Sequence, residues 1–302
     1  MNVKALKLNK QSKYNLRKPA DILPECENVS PFFVQIVCAS RGMGKTHSMM
    51  MLLHHIAQKG WYNRFVTISP SYNSDYKQQA TYEDIERMGY EVKRHELPTD
   101  DVLDEIQDEQ RYYMDLWDEY MMKKRLYEKF MKNGVKKMSD EELSILFDDF
   151  LDEEEIIPDR EIIFGQYPKW LRREQPPILH IFIDDCFAEN VMTKNRNNKL
   201  TKMIVNGRHM LCSLSIATQS LSNIPRAIRS NTQIWSVFPT KSQKDLRVLY
   251  EEVANAFPSE THFQRVMREV EKTDYGFLYV DASSLKKPII KIGFNDVVNF
   301  SN

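Results

Sequence analysis

An α/β fold, with a mostly parallel sheet flanked by helices, is what this sequence predicts, and three observations predict it. Short continuous apolar runs of strand length recur at residues 32–38, 65–69, 178–183, 212–218 and 233–238, the pattern of strands covered on both faces. Helical periodicity falls between them, as where Met49, Met50, Leu52, Leu53 and Ile56 form one apolar face that stops at Gly60. The first run leads directly into a small-residue loop and then that helix, the opening of a βαβ unit.

In chain order, residues 1–30 read as a basic N-terminal arm. Lys4, Lys7, Lys10, Lys13, Arg17 and Lys18 all precede the first acidic residue, Asp21. The arm has no apolar segment and does not read as a secretory signal. Residues 31–302 read as one domain, interrupted between the strands at 65–69 and 178–183 by an acidic helical insertion over about residues 98–155. There Leu103, Ile106, Tyr113, Trp117, Tyr120, Tyr127 and Phe130 keep helical spacing, and Asn133-Gly134 breaks it. Ser139-Asp140-Glu141-Glu142 is a capping box that opens a second helix through Leu143, Leu146, Phe147 and Phe150. Further on, helices are expected over 242–256 and 259–272, and strands at 276–280 and 289–292 suit an edge hairpin.

The composition, 42% hydrophobic and 28% charged over 302 residues, suits a globular chain. No apolar stretch approaches the ~18 residues that cross a bilayer, so no membrane partner is expected. Cys26, Cys38, Cys186 and Cys212 are widely spaced and read as core thiols in a reducing compartment. Neither they nor the 7 histidines have metal-ligand spacing. The net charge of −1 hides an asymmetry: residues 100–155 hold 19 acidic and 8 basic side chains, leaving 34 basic and 24 acidic elsewhere. Lys194, Arg196, Lys199, Lys202 and Arg208 form a second basic run. A basic body beside a separate acidic element fits a polyanion partner.

Three strand ends carry the chemistry. After the first strand the chain reads Ala39-Ser40-Arg41-Gly42-Met43-Gly44-Lys45-Thr46-His47, close to the phosphate-loop pattern G-x-x-x-x-G-K-[ST]. Loop amides from Ser40 through Arg41, Gly42, Met43 and Gly44 to His47 suit the phosphates of a nucleoside triphosphate. Lys45 suits the β- and γ-phosphates, and the Thr46 hydroxyl suits Mg²⁺. Ala39 stands where the pattern has its first glycine, which is tolerable if its φ is negative. The strand at 178–183 ends in Asp184-Asp185. Asp184 is expected to orient Mg²⁺ opposite Thr46, and Asp185 to act as general base or to position the attacking water. The strand at 212–218 ends in Thr218-Gln219-Ser220, where Gln219, with Thr218 second, can sense the γ-phosphate or that water. Arg41, Arg208, Arg226 and Arg229 are candidates for a finger on transition-state charge, Arg41 in cis and the others across a subunit boundary.

These motifs in this order resemble the viral DNA-packaging ATPases of the FtsK/HerA superfamily, the poxvirus-type packaging ATPases of large DNA viruses and virophages. The residues that carry the resemblance are 41–46, Ile183-Asp184-Asp185, Gly207-Arg208-His209, Thr218-Gln219-Ser220 and Ile228-Arg229-Ser230-Asn231. The resemblance covers about residues 30–240 and implies a RecA/FtsK-like P-loop fold. It implies an ATP-driven motor, ATP and Mg²⁺ being its cofactors, that forms a pentameric or hexameric ring and pushes double-stranded DNA into a preformed capsid. A capsid or portal protein is then a partner, and the setting is an infected host cell, its cytoplasm or viral factory, with virion association and no secretion. An arginine enters the neighbour's site in such rings; Arg208 matches that position best, with Arg229 next. Ala39 and the acidic hairpin depart from the pattern, and the hairpin reads as a docking surface for capsid proteins. Two other readings stay open: a different P-loop enzyme such as a helicase or nucleoside kinase, and a nucleotide-gated adaptor with little turnover.

Overall fold

The structure is a computed structural model that describes residues 31–147, 160–173, 175–185, 198–284, 288–294 and 296–300. The basic arm at 1–30, with Cys26, and Phe150, Cys186, Lys194 and Arg196 lie outside the described residues. The chain runs β1 (Val34–Cys38), α1 (Lys45–Lys59), β2 (Arg64–Ile68), α2 (Tyr76–Arg87), β3 (Glu91–His95), α3 (Asp100–Asn133), α4 (Asp140–Phe147) and α5 (Arg160–Phe164). It continues β4 (Leu179–Asp184), α6 (Lys199–Asn206), β5 (Cys212–Thr218), α7 (Arg226–Arg229) and β6 (Ile234–Val237). The last elements are α8 (Gln243–Val253), α9 (Glu260–Glu271), β7 (Leu278–Asp281), β8 (Ile289–Ile292) and β9 (Asp296–Val297).

Among the described residues nine strands form one sheet in the order β3-β2-β4-β5-β1-β6-β7-β8-β9. From β3 to β6 every pairing is parallel. β7, β8 and β9 turn back as an antiparallel edge. The expected mostly parallel α/β sheet is therefore what forms. Period-two alternation sorts the apolar side chains between the faces: Val34, Ile36 and Cys38 join the core under α6, α8 and α9, while Phe33, Val37 and Ala39 join the aromatic-rich core under α1 and α2.

Two differences from the sequence expectation concern one corner. The helical segment follows β3, not β2, because a polar strand and the helix α2 intervene. β3 reads Glu-Val-Lys-Arg-His and is half-exposed at the sheet edge, where charged side chains discourage further strand pairing and leave no apolar run to detect. α3 also begins on the sheet, since Leu103 and Ile106 lie in its core. Its later turns leave the sheet and build a separate aromatic cluster, in which Trp117, Tyr120 and Phe130 meet Phe147 of α4 and Phe164 of α5. Gly134, at φ 68°, ends α3. The box at Ser139 forms as expected: Ser139 Oγ accepts from the Glu142 amide at 3.2 Å, and the Ser139 amide donates to Glu142 at 3.0 Å.

One buried cation ties α3 to the sheet. Arg64 of β2 is 1% exposed. Its guanidinium donates to Glu91 at 3.0 Å, Gln110 at 2.7 Å and Glu109 at 3.0 Å, and lies 4.1 Å from the Tyr113 ring centroid. Gln110 donates in turn to the carbonyls of Pro177 and Met210 at 2.6 and 2.8 Å.

Candidate nucleotide site

Parallel register brings the carboxyl ends of β4, β5, β1 and β6 to one edge of the sheet, where ligands of open α/β folds bind. β1 ends there and the chain turns through residues 39–44 into α1. Gly42 and Gly44 have φ of 82° and 90°, the left-handed region that glycine enters without a Cβ penalty. Gly44 is the residue before α1, and among the described residues no side chain caps the first amides of that helix. The other helices of eight residues or more are capped by Asp75, Thr99, Ser139, Asn198, Ser242 and Ser259. The amides of α1 are thus left for an anion, and the helix dipole favours one. Ala39 meets the condition set for it: its φ is not positive, its methyl is buried in the α1-side core, and its amide donates to the Thr218 carbonyl at 3.0 Å.

Lys45 is 7% exposed. Its Nζ sits 2.9 Å from Asp184 Oδ1 and 2.6 Å from Asp185 Oδ1, so one ammonium bridges both carboxylates at the end of β4. Asp184 is 2% exposed. Burial pushes its pKa up, Lys45 opposes that shift, and the charges of Asp185 and Asp75 reinforce it. Its second oxygen, Oδ2, accepts from Gln78 Nε2 at 3.0 Å. Gln78 Oε1 is buried with no hydrogen-bond partner among the described residues. Asp185 adopts φ 49°, and its amide donates to the Ala217 carbonyl at 3.2 Å. That carboxylate is partly exposed and accepts from Gln219 Nε2 at 3.3 Å.

Lys45, Asp184, Asp185 and Gln219 therefore meet in space. Thr46 is half-buried in the first turn of α1; Ser40, Arg41 and His47 are exposed on the loop, and Met43 packs partly against the core. The Thr218 hydroxyl is taken up locally: it donates to the Ser220 carbonyl and accepts from the Ser220 amide, both at 3.0 Å. Sequence reasoning did not find Gln78 or Asp245. Asp245, buried at the start of α8, accepts from Ser220 Oγ at 3.0 Å and from the Ser222 amide at 2.9 Å, which anchors the segment after Gln219. Gln78 carries no local signal, and the cap pattern Ser242-x-x-Asp245 marks a helix start without pointing to Ser220 or Ser222; each residue acts through a partner far away in sequence.

Arg208 and Arg229 fall elsewhere. Arg208 lies before β5, at the opposite edge of the sheet, so the six residue steps of that strand from Cys212 to Thr218, roughly 20 Å at the strand rise of about 3.3 Å per residue, separate it from the site. Its side chain is exposed and makes no ion pair among the described residues. Arg229 is committed within the chain, donating to Glu252 at 3.0 Å and to the Ile224 carbonyl at 2.7 Å, and so fastens α7 to α8. Lys199, from the basic run, pairs with Asp104 of α3. Cys38 and Cys212 are buried, and burial pushes both thiols up to about 12. Among the described residues no three His, Cys, Asp or Glu side chains cluster as a metal site. A Mg²⁺ site of the kind expected here needs fewer protein ligands, because phosphate oxygens and water complete it.

No protein-family model matches the chain. A stretch of 134 residues, 42% of this chain, is 27% identical to the uncharacterized protein 075L of Invertebrate iridescent virus 6, and the match spans about half of that protein's length, 49%. The genome packaging NTPase B204 from Sulfolobus turreted icosahedral virus 2, solved in complex with AMP, superposes with a TM-score of 0.50 over 89% of this chain and 100% of B204, at 11% identity. This chain has the fold of B204. At that identity the likeness establishes the P-loop NTPase architecture and no more. No helix among the described residues is long and apolar enough to cross a membrane.

Proposed function

We propose that this chain is an ATPase of the FtsK/HerA superfamily that translocates double-stranded DNA into a viral capsid. The observation that carries the reading is the Lys45 ammonium held between Asp184 and Asp185 at the carboxyl edge of the sheet, with Gln219 on the next strand. Residues 40–47 and the uncapped start of α1 supply the donors that a triphosphate needs. Thr46 and Asp184 would hold Mg²⁺, which when bound neutralises phosphate charge. The buried Asp184, its pKa raised by burial and by the charges of Asp185 and Asp75 against the pull of Lys45, suits a carboxylate that a cation would complete. Asp185 is partly exposed and bonded to Gln219, so this pair can hold a water and take its proton. Lys45 exchanges its carboxylate partners for phosphate oxygens as the nucleotide enters.

Arg208 is exposed and far from its own subunit's site, so it can serve only a neighbouring one. A ring, pentameric or hexameric, with shared sites is what the motif order implies, and this placement of Arg208 is compatible with it. Arg229 is the weaker assignment because Glu252 and Ile224 already occupy its guanidinium. A double-stranded DNA substrate, a capsid or portal partner and an infected-cell setting belong to the same proposal and rest on the motif order together with the B204 fold.

The test measures ATP hydrolysis by the oligomeric protein with and without double-stranded DNA, at several salt concentrations. A motor predicts stimulation by DNA that fades steeply as salt rises. Turnover indifferent to DNA would sink the translocation reading, and negligible turnover would favour the adaptor. Doping the ring with Arg208→Ala subunits is expected to reduce activity by more than the fraction added. A proportional loss would remove the shared-site assignment.

A further inference from the structure

The site has a direction. Lys45, Asp184, Asp185 and Gln219 mark the γ-phosphate end, and they lie where β1 meets β5 and β4. A triphosphate laid along the loop with its terminal phosphate there sends its nucleoside the other way, across β1 toward β6 and β7. Register places the start of β7 at this same edge: Cys38 pairs with Val237 of β6, and Val237 with Leu278 of β7. Just before Leu278, in the turn between α9 and β7, stands Tyr275.

Three features of Tyr275 need a cause. Its side chain is 69% exposed, although it is large and aromatic. Its φ is 55°, an unfavourable backbone for a bulky residue and one that clusters at ligand sites. The turn holds it there: the Thr273 amide donates to Val270 at 3.1 Å, and the Gly276 amide to Thr273 at 2.9 Å. A Cβ on Gly276 would come within 2.8 Å of the Val270 carbonyl, so the turn has little room to relax. The ring lies against the phosphate loop, its Cδ1 3.1 Å from where a Cβ on Gly44 would be. Packing alone does not account for an exposed ring held in a strained backbone beside a phosphate loop.

We propose that Tyr275 is the nucleobase platform of this site, its ring stacking on the base of a bound nucleoside triphosphate and favouring the larger purines. This rests on the reading of residues 39–47 as a triphosphate loop. Stacking of a base on an aromatic side chain corresponds to about fivefold to a hundredfold in affinity.

Calorimetric titration of the full chain with Mg-ATP, Mg-CTP and Mg-tripolyphosphate tests it. Tyr275→Ala is expected to weaken ATP binding by about tenfold, to narrow the ATP-over-CTP preference and to leave tripolyphosphate binding unchanged. Tyr275→Trp, which keeps a stacking face, should hold ATP at least as tightly as the wild type. Unchanged ATP affinity in Tyr275→Ala, with tripolyphosphate still bound, would overturn the platform alone. Tighter binding of both ligands would also overturn it, by making the ring a plug. A wild-type chain that binds neither ATP nor tripolyphosphate would overturn the triphosphate reading and the platform with it.

Discussion

Two buried cations sit at different places on the sheet, and their surroundings differ. Arg64 is fully matched: two carboxylates, an amide oxygen and an aromatic face take up its guanidinium, and Gln110 passes the network on to two carbonyls. Lys45 is matched only for the moment. Its carboxylate partners are crowded, one of them is pushed toward protonation by burial, Gln78 beside them keeps an oxygen with no partner among the described residues, and Asp185 and nearby Tyr275 have strained backbones. A satisfied polar cluster holds elements together. An incompletely satisfied one at the carboxyl edge of a parallel sheet is a place where something else binds.

Four experiments can break or sharpen that contrast. The largest effect is expected from Arg64→Met, which leaves Glu91 without its cation, Gln110 Oε1 without its donor and Glu109 with Lys93 alone. Denaturant unfolding should show a loss of about 3–5 kcal/mol, while nucleotide affinity per folded molecule stays the same. Lys45→Ala should behave in the opposite way. Turnover should fall about 10²–10³-fold, while the unfolding midpoint moves far less than in Arg64→Met, because Asp184 is already disposed to take up a proton. A comparable loss of stability in both variants would erase the distinction.

The third effect concerns pH. His180 of β4 is buried among Phe33, Tyr62 and Phe65, and burial lowers its pKa to about 3. The unfolded chain takes up this proton near pH 6.5 and the fold does not. Stability from this group is therefore complete above pH 6.5 and is lost as pH falls toward 3. Between pH 7 and 5 the wild type should lose about 2 kcal/mol more than His180→Phe, as measured by parallel unfolding curves. Equal slopes would mean that His180 is not held neutral.

The smallest effect is expected from Gln78→Leu. Removing one hydrogen bond to the Asp184 carboxylate should lower turnover by about tenfold and raise the Mg²⁺ concentration needed for half-maximal rate. The midpoint of unfolding should hold steady, since the substitution also removes a buried oxygen with no partner among the described residues. A large drop in stability would place Gln78 with the structural network of Arg64.

The strands were legible where both faces are buried. β1, β2, β4, β5 and β6 each show a short apolar run because helices cover the sheet on either side. β3 was not legible, since an exposed edge favours charge over apolar character. α2 was not legible either: only Gln78, Tyr82 and Ile85 are buried, too few to set a period. The loop at 39–47 and the pair Asp184-Asp185 were legible because their chemistry is local and compact. Gln78 was not, as its partner lies 106 residues away. The sequence ranks Gln219 ahead of Thr218 at this strand end, and the fold turns the Thr218 hydroxyl into Ser220.

By itself the sequence determined the α/β class, the phosphate loop and the strand-end carboxylates, because periodicity, glycine spacing and capping act over a few residues. Only the tertiary structure decided which strand ends meet. Sheet register brought Lys45 onto Asp184 across 139 residues, brought Gln78 beneath it, set Arg208 on the far edge and laid Tyr275 against Gly44. Such contacts depend on crossover order in the sheet, which long-range packing selects and no local pattern encodes.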